Sequence, residues 1–105
     1  MDIRELKKQS DLSYDIAIAK RNSLEKAHSR MIVVYREHIF RANAETICLV
    51  STLRKHHDSF FVLDSNNNPV EIDDPNEFLE LLVSRNQEAI NAYHQMSKTF
   101  EKRGG

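Results

Sequence analysis

Apolar positions recur every three or four residues along much of the first half of the chain. Leu12, Ile16, Ala19, Leu24, Ala27, Met31 and Val34 begin the series, and His38, Ala42, Glu45, Leu49 and Thr52 continue it. That spacing marks one face of a helix, and a long helix is expected over 11–58. Three members, His38, Glu45 and Thr52, are polar and the phase slips by one residue near Leu24. The heptad is therefore imperfect, and suits a short antiparallel partner better than a long coiled coil. At a helical rise of 1.5 Å per residue the element would be roughly 70 Å long, more than the diameter of a compact domain of this length. From Met1 to Asn68 the chain has neither Gly nor Pro, which agrees with long helices. Residues 1–10 form a lead segment. Asp2 with Glu5 fits a helix start, and Ser10, Asp11 and Ser13 give a second one. Either a short lead helix breaks near Ser10 or one helix runs through.

The middle of this stretch is richer in apolar residues than one helix face can use. Met31, Ile32, Val33, Val34 and Tyr35 are consecutive; Ile39 and Phe40 follow, then Ile47, Cys48, Leu49 and Val50. Five successive positions on a helix go right round its axis, whereas a stripe packed on one neighbour needs about three in seven. Either the helix is covered on several sides or Met31–Tyr35 is a buried strand, which its β-branched content allows. In the helical case one short chain has too few other elements to cover every side. Self-association is the simplest remedy, because large exposed apolar patches mark interfaces. The interface is expected at Met31, Ile32, Val33, Tyr35, Ile39 and Phe40, with Phe60 and Phe61 as a second patch.

Beyond the long helix the period changes to two. Phe60 to Leu63 read as a strand, Asp64 to Pro69 as a turn built on three asparagines, and Val70 to Ile72 as a short return strand. A β-hairpin over 60–72 follows. An isolated two-stranded hairpin is marginal in water, so it must lie on the helices or pair with another copy. The C-terminal helix, 74–103, has the clearest start: Asp74 at the N-cap, Pro75 at the first helical position and Glu77 at the third. Phe78, Leu82, Ala89, Tyr93, Met96 and Phe100 form its apolar stripe. Lys98, Lys102 and Arg103 suit its C-terminal end, where Gly104 and Gly105 stop it.

Composition narrows the function classes. The 105 residues are 40% hydrophobic and 30% charged, which fits one folded domain over 1–105. The formal net charge of −1 supplies no global field toward nucleic acid or an anionic membrane. Charge is unevenly placed, however. Asp64, Glu71, Asp73, Asp74, Glu77 and Glu80 lie within 61–83, where there is no Lys or Arg. The helical arms are mildly basic, so two chains could pair head to tail. Cys48 is the single cysteine, which points to a reducing, cytoplasmic setting. Met1 to Ser10 does not resemble a signal peptide, and no apolar run reaches the length of a membrane span.

The candidate chemistry is thin. Glu25 and His28 stand one turn apart, the spacing used in di-iron carboxylate bundles, but those sites need two such motifs and two further Glu residues. His56 and His57 are adjacent and point about 100° apart on a helix, so regular geometry does not turn both to one ion. Their cationic character suits a helix C-terminus, together with Arg54 and Lys55. His38 is expected as a satisfied, partly buried imidazole, and Cys48 as a small buried hydrophobe without a base to activate it. The only glycines are the last two residues, so no phosphate loop is present. Lys20, Arg21, Lys26, Arg30, Arg36, Arg41, Arg54 and Lys55 do not share one face, and no aromatic stacking residues stand among them.

The expected fold is mainly α: a long helical hairpin, antiparallel and coiled-coil-like, with a short β-hairpin between its two helices. This order of elements resembles that of prefoldin-type chaperone subunits in topology alone. The expected function is a non-enzymatic, self-associating protein–protein interaction module, a dimer or higher homo-oligomer that also meets another protein. An accessory or assembly factor of viral origin would suit the small size and the missing catalytic constellation. No cofactor and no membrane partner are expected. Two alternatives stay open: a nucleic-acid-binding accessory protein using the basic arms, and a metal-binding bundle around Glu25 and His28.

Overall fold

A computed structural model describes residues 3–104, and the side-chain surroundings of residues 11–99. Helix α1 (Ile3–Arg30) leads into a hairpin of β1 (Ile32–Tyr35) and β2 (His38–Arg41). Helix α2 (Ala44–His56), a second hairpin of β3 (Phe60–Leu63) and β4 (Pro69–Ile72), and helix α3 (Pro75–Gly104) follow. The chain is mostly helical, so the mainly α class holds. The single helix over 11–58 does not form. It is replaced by two helices and a β-hairpin, and the long two-helix hairpin of the sequence reading is lost with it. Helix α1 is unbroken through Ser10. The helix start expected at Asp2 lies outside the described residues.

The first hairpin explains the dense apolar run. Val33 pairs with Phe40 and Val34 with Ile39 in an antiparallel register. Alternation then sends Val33, Tyr35 and Phe40 inward and leaves Ile32, Val34 and Ile39 outside. Period two disposes of five consecutive apolar residues on two faces, where a helix would spread them over all sides. The connecting pair, Arg36 and Glu37, has φ of 50° and 69°. Both residues are therefore left-handed, as a two-residue type I′ turn requires. Such turns favour Asn-Gly, and side chains with a Cβ pay roughly 1–2 kcal/mol per residue there. The inward packing of Val33, Tyr35 and Phe40 outweighs that cost.

Helix α2 starts at Asn43, whose side chain accepts the Thr46 backbone N–H at 2.9 Å. The second hairpin has the expected place and turn. Asn67, at φ 64°, ends a three-residue loop in which the Asp64 N–H donates to Asn68 O at 2.9 Å and the Asn67 N–H to Asp64 O at 3.0 Å. At the head of α3 the Asp74 carboxylate accepts the Glu77 N–H at 3.2 Å, so the cap expected there forms.

One apolar core joins these pieces. Met31, Val33, Tyr35, Phe40 and Ala42 from the first hairpin and its flanks meet Val50 of α2 and Phe60, Val62, Val70 and Ile72 of the second hairpin. Phe78, Leu82 and Ala89 of α3 close it. Phe78 is fully buried and holds two rings, Tyr35 and Phe40, each with its centroid 4.9 Å away. Asn86 is the buried polar link. Its Nδ2 donates to the carbonyl of Ala42 at 2.9 Å and so ties α3 to the base of the first hairpin. Helix α1 packs against α3, and the molecule is 66 Å long and 23 × 21 Å in section.

Candidate functional site

The outward faces of the two hairpins form the most distinctive surface of the chain. Register places Ile32, Val34, Ile39 and Arg41 on the outer face of the first hairpin, and Phe61, Leu63, Pro69 and Glu71 on that of the second. Ile32 is 42% exposed, Val34 65%, Ile39 44%, Phe61 66% and Leu63 59%. These are large apolar side chains in water beside a core that is already closed, and such patches are characteristic of interfaces.

The eight interface residues expected from the sequence therefore divide. Ile32, Ile39 and Phe61 are on the surface, whereas Met31, Val33, Tyr35, Phe40 and Phe60 are buried in the chain's own core. Phe60, expected on a strand, takes its inward face; the other four are expected on a helix, and a helix this apolar needs a second molecule to cover it. A strand does not. Val34 and Leu63 belong to the exposed surface and were missed; both runs are apolar at every position, so only the strand geometry, which turns alternate residues to opposite faces, singles them out.

Between β1 and α3 runs a groove of about 840 Å³. Ile32 and Val34 line one wall, and Leu81, Ser84, Arg85 and Glu88 on one flank of α3 line the other. Arg85 Nε donates across it to the carbonyl of Ile32 at 3.1 Å, and its Nη1 to Glu88 at 3.2 Å. A second depression of about 590 Å³ continues past Val34 and Leu81 to Asp73, Asp74 and Glu77. There Arg36 pairs with Asp73 and lies over the Tyr35 ring, 5.5 Å from its centroid. The Tyr35 hydroxyl donates to Asp73 at 3.3 Å. The Arg36 guanidinium holds the Asp73 carboxyl below the usual range, while burial pushes the Tyr35 phenol up against the opposing pull of Arg36.

A second polar link fixes the two hairpins to each other. The buried carboxylate of Asp64 accepts the backbone N–H groups of Asn66 and Asn68, at 2.8 and 2.9 Å, and His38 Nδ1–H at 2.8 Å. An ionised carboxylate only accepts, so Nδ1 is the donor. The Asn68 N–H, then the His38 contact, lowers the Asp64 carboxyl below its ordinary value. Beside it the Ser65 N–H donates to Ile39 O at 2.8 Å. His38 is thus a half-buried, satisfied imidazole, as expected.

No family model, known protein or solved structure matches the chain.

The remaining sequence candidates are dispersed. Glu25 and His28 lie exposed on α1, and His56 and His57 exposed at the end of α2. Among the described residues no group of three or more His, Cys, Asp or Glu is placed to hold a metal ion. Cys48 is exposed rather than buried, because α2 turns Val50 inward instead. Of the basic residues, Arg36 is held by Asp73, and Arg54 donates to Asn76 at 3.0 Å. Among the described residues no helix is long and apolar enough to cross a membrane.

Proposed function

We propose that the chain is a non-enzymatic protein–protein interaction module that self-associates through the outward faces of its hairpins and serves as an accessory or assembly factor in the cytoplasm. The observation that carries this is the exposure of Ile32, Val34, Ile39, Phe61 and Leu63 on elements whose inner faces are already packed. Full burial of a large apolar side chain from water gains on the order of 1.5–3 kcal/mol; these are about half exposed, so each gains roughly half of that, and a twofold contact counts every one twice. The single cysteine, unpaired within the chain, is in keeping with a reducing compartment.

Sedimentation equilibrium tests this. The wild-type chain is expected to weigh more than its 12.2 kDa monomer, and Ile39→Asp with Phe61→Asp should return it to monomer with its helical signal intact. A wild-type monomer at every concentration refutes self-association.

A further inference from the structure

We infer that the free edge of β1 is a self-pairing site: a second copy adds its own β1 antiparallel across a twofold axis, making one four-stranded sheet. The inference rests on the self-association proposed above and adds to it a backbone contact along the edge of the strand whose outward face carries Ile32 and Val34.

The hydrogen-bond phase of the first hairpin identifies the edge. Tyr35 and His38 close the two-residue turn, and the Ala42 N–H donates to Met31 O at 2.8 Å. Residues 31, 33 and 35 therefore bond to β2, and Ile32 and Val34 direct their N–H and C=O groups away from it. Two contacts agree with this phase: the outward carbonyl of Ile32 takes Arg85, and the outward carbonyl of Ile39 on β2 takes Ser65. The edge of β2 is thus partly covered by the second hairpin. On β1, no hydrogen bond among the described residues reaches the outward N–H or C=O of Val34. Backbone groups of this kind are obligatory hydrogen-bonding groups, and an open edge is a template for another strand.

There is room for that strand, and the charges select a second copy. A paired strand lies about 4.8 Å from its neighbour, and the 840 Å³ groove opens along this side of β1. Toward Ile32 the groove carries Arg30 and Arg85 with Glu88, a net positive end. Toward Tyr35 it meets Asp73, Asp74 and Glu77 with Arg36, a net negative end. An antiparallel, twofold pairing sets each positive end against the other copy's negative end. A parallel pairing would set like against like. With Ile32 opposite Val34 of the second copy, in both directions, the outward groups of both edges make up to about four backbone hydrogen bonds. Arg85 then leaves the Ile32 carbonyl for the acidic end opposite.

The test uses sedimentation equilibrium of the full chain at low salt, with circular dichroism to confirm folding. Val34→Pro removes the outward N–H and leaves the β1–β2 ladder untouched. It is expected to weaken association at least tenfold, about 1.4 kcal/mol by the affinity relation. Arg85→Glu and Glu77→Arg should each weaken self-association, and an equimolar mixture of the two should restore it, because the reversed ends now complement each other. If Val34→Pro does not fold, the charge-reversal mixture decides. A folded Val34→Pro chain that associates like wild type, or a mixture that shows no rescue, overturns the edge pairing while self-association through another surface stands. A wild-type chain that is monomeric throughout overturns both.

Discussion

Glycine at position 37 separates the hairpin from the helix that the same residues suggest. Glu37 is exposed, and among the described residues its side chain makes no hydrogen bond or ion pair. Its φ of 69° carries a left-handed penalty of roughly 1–2 kcal/mol for a residue with a Cβ. Glycine removes the penalty and gives back about 0.5–1 kcal/mol through the greater freedom of the unfolded chain. Glu37→Gly should therefore stabilise by about 0.5–1 kcal/mol. For a chain near 100 residues that raises Tm by roughly 2–8 °C. In a helix over 11–58 the same substitution would sit mid-helix and cost about 1 kcal/mol, lowering Tm by a similar amount. The assay is thermal unfolding by circular dichroism at matched protein concentrations, since self-association makes Tm concentration-dependent. The sign decides, and a fall in Tm would refute the hairpin.

Three further outcomes are expected from the packing and the polar links. Phe78→Ala removes the ring that joins α3 to Tyr35 and Phe40 and should cost about 3–5 kcal/mol. Against a total of roughly 5–15 kcal/mol, a urea titration should show the midpoint fall steeply or the cooperative transition vanish. Asn86→Ala leaves the Ala42 carbonyl without its donor and should lose about 1–3 kcal/mol, read in the same titration with an unchanged slope. Asp64 and Asp73 are both held below the ordinary carboxylate range in the folded chain. The unfolded chain therefore takes up protons first on acidification. The stability these groups contribute is present at neutral pH and is lost as pH falls from the ordinary carboxylate range through their lowered values. Tm against pH should drop across that window, and Asp64→Asn should flatten the drop.

Much of the second half was legible in the sequence. Asp74, Pro75 and Glu77 mark the start of α3, and Asn67 supplies the positive φ that the β3–β4 turn needs; each is a residue whose local preference agrees with its final place. Of the first hairpin only a buried strand at Met31–Tyr35 was legible, as an alternative to helix; its turn and return strand were not, for the opposite reason. Arg36 and Glu37 have no preference for a left-handed turn, and only the burial of Val33, Tyr35 and Phe40 against Phe78 forces them into it. A three-four spacing that runs from Leu12 to Thr52 hid the strands, although Asn43 before Glu45 and Thr46 was a usable cap signal for a new helix. The surface was legible in kind but not in detail. The excess of apolar residues was correct, but period two sends half of them into the core and exposes Val34 and Leu63, which a helical count does not single out.

Amide hydrogen exchange at Val34, followed over a range of protein concentration, bears most directly on where two copies meet. The Val34 N–H faces away from β2, so it should exchange quickly in dilute monomer and become protected as the chains associate, in step with the rise in mass. Protection of Val34 that stays low at every concentration, while the mass rises, would place the contact elsewhere and contradict the role given to the first hairpin.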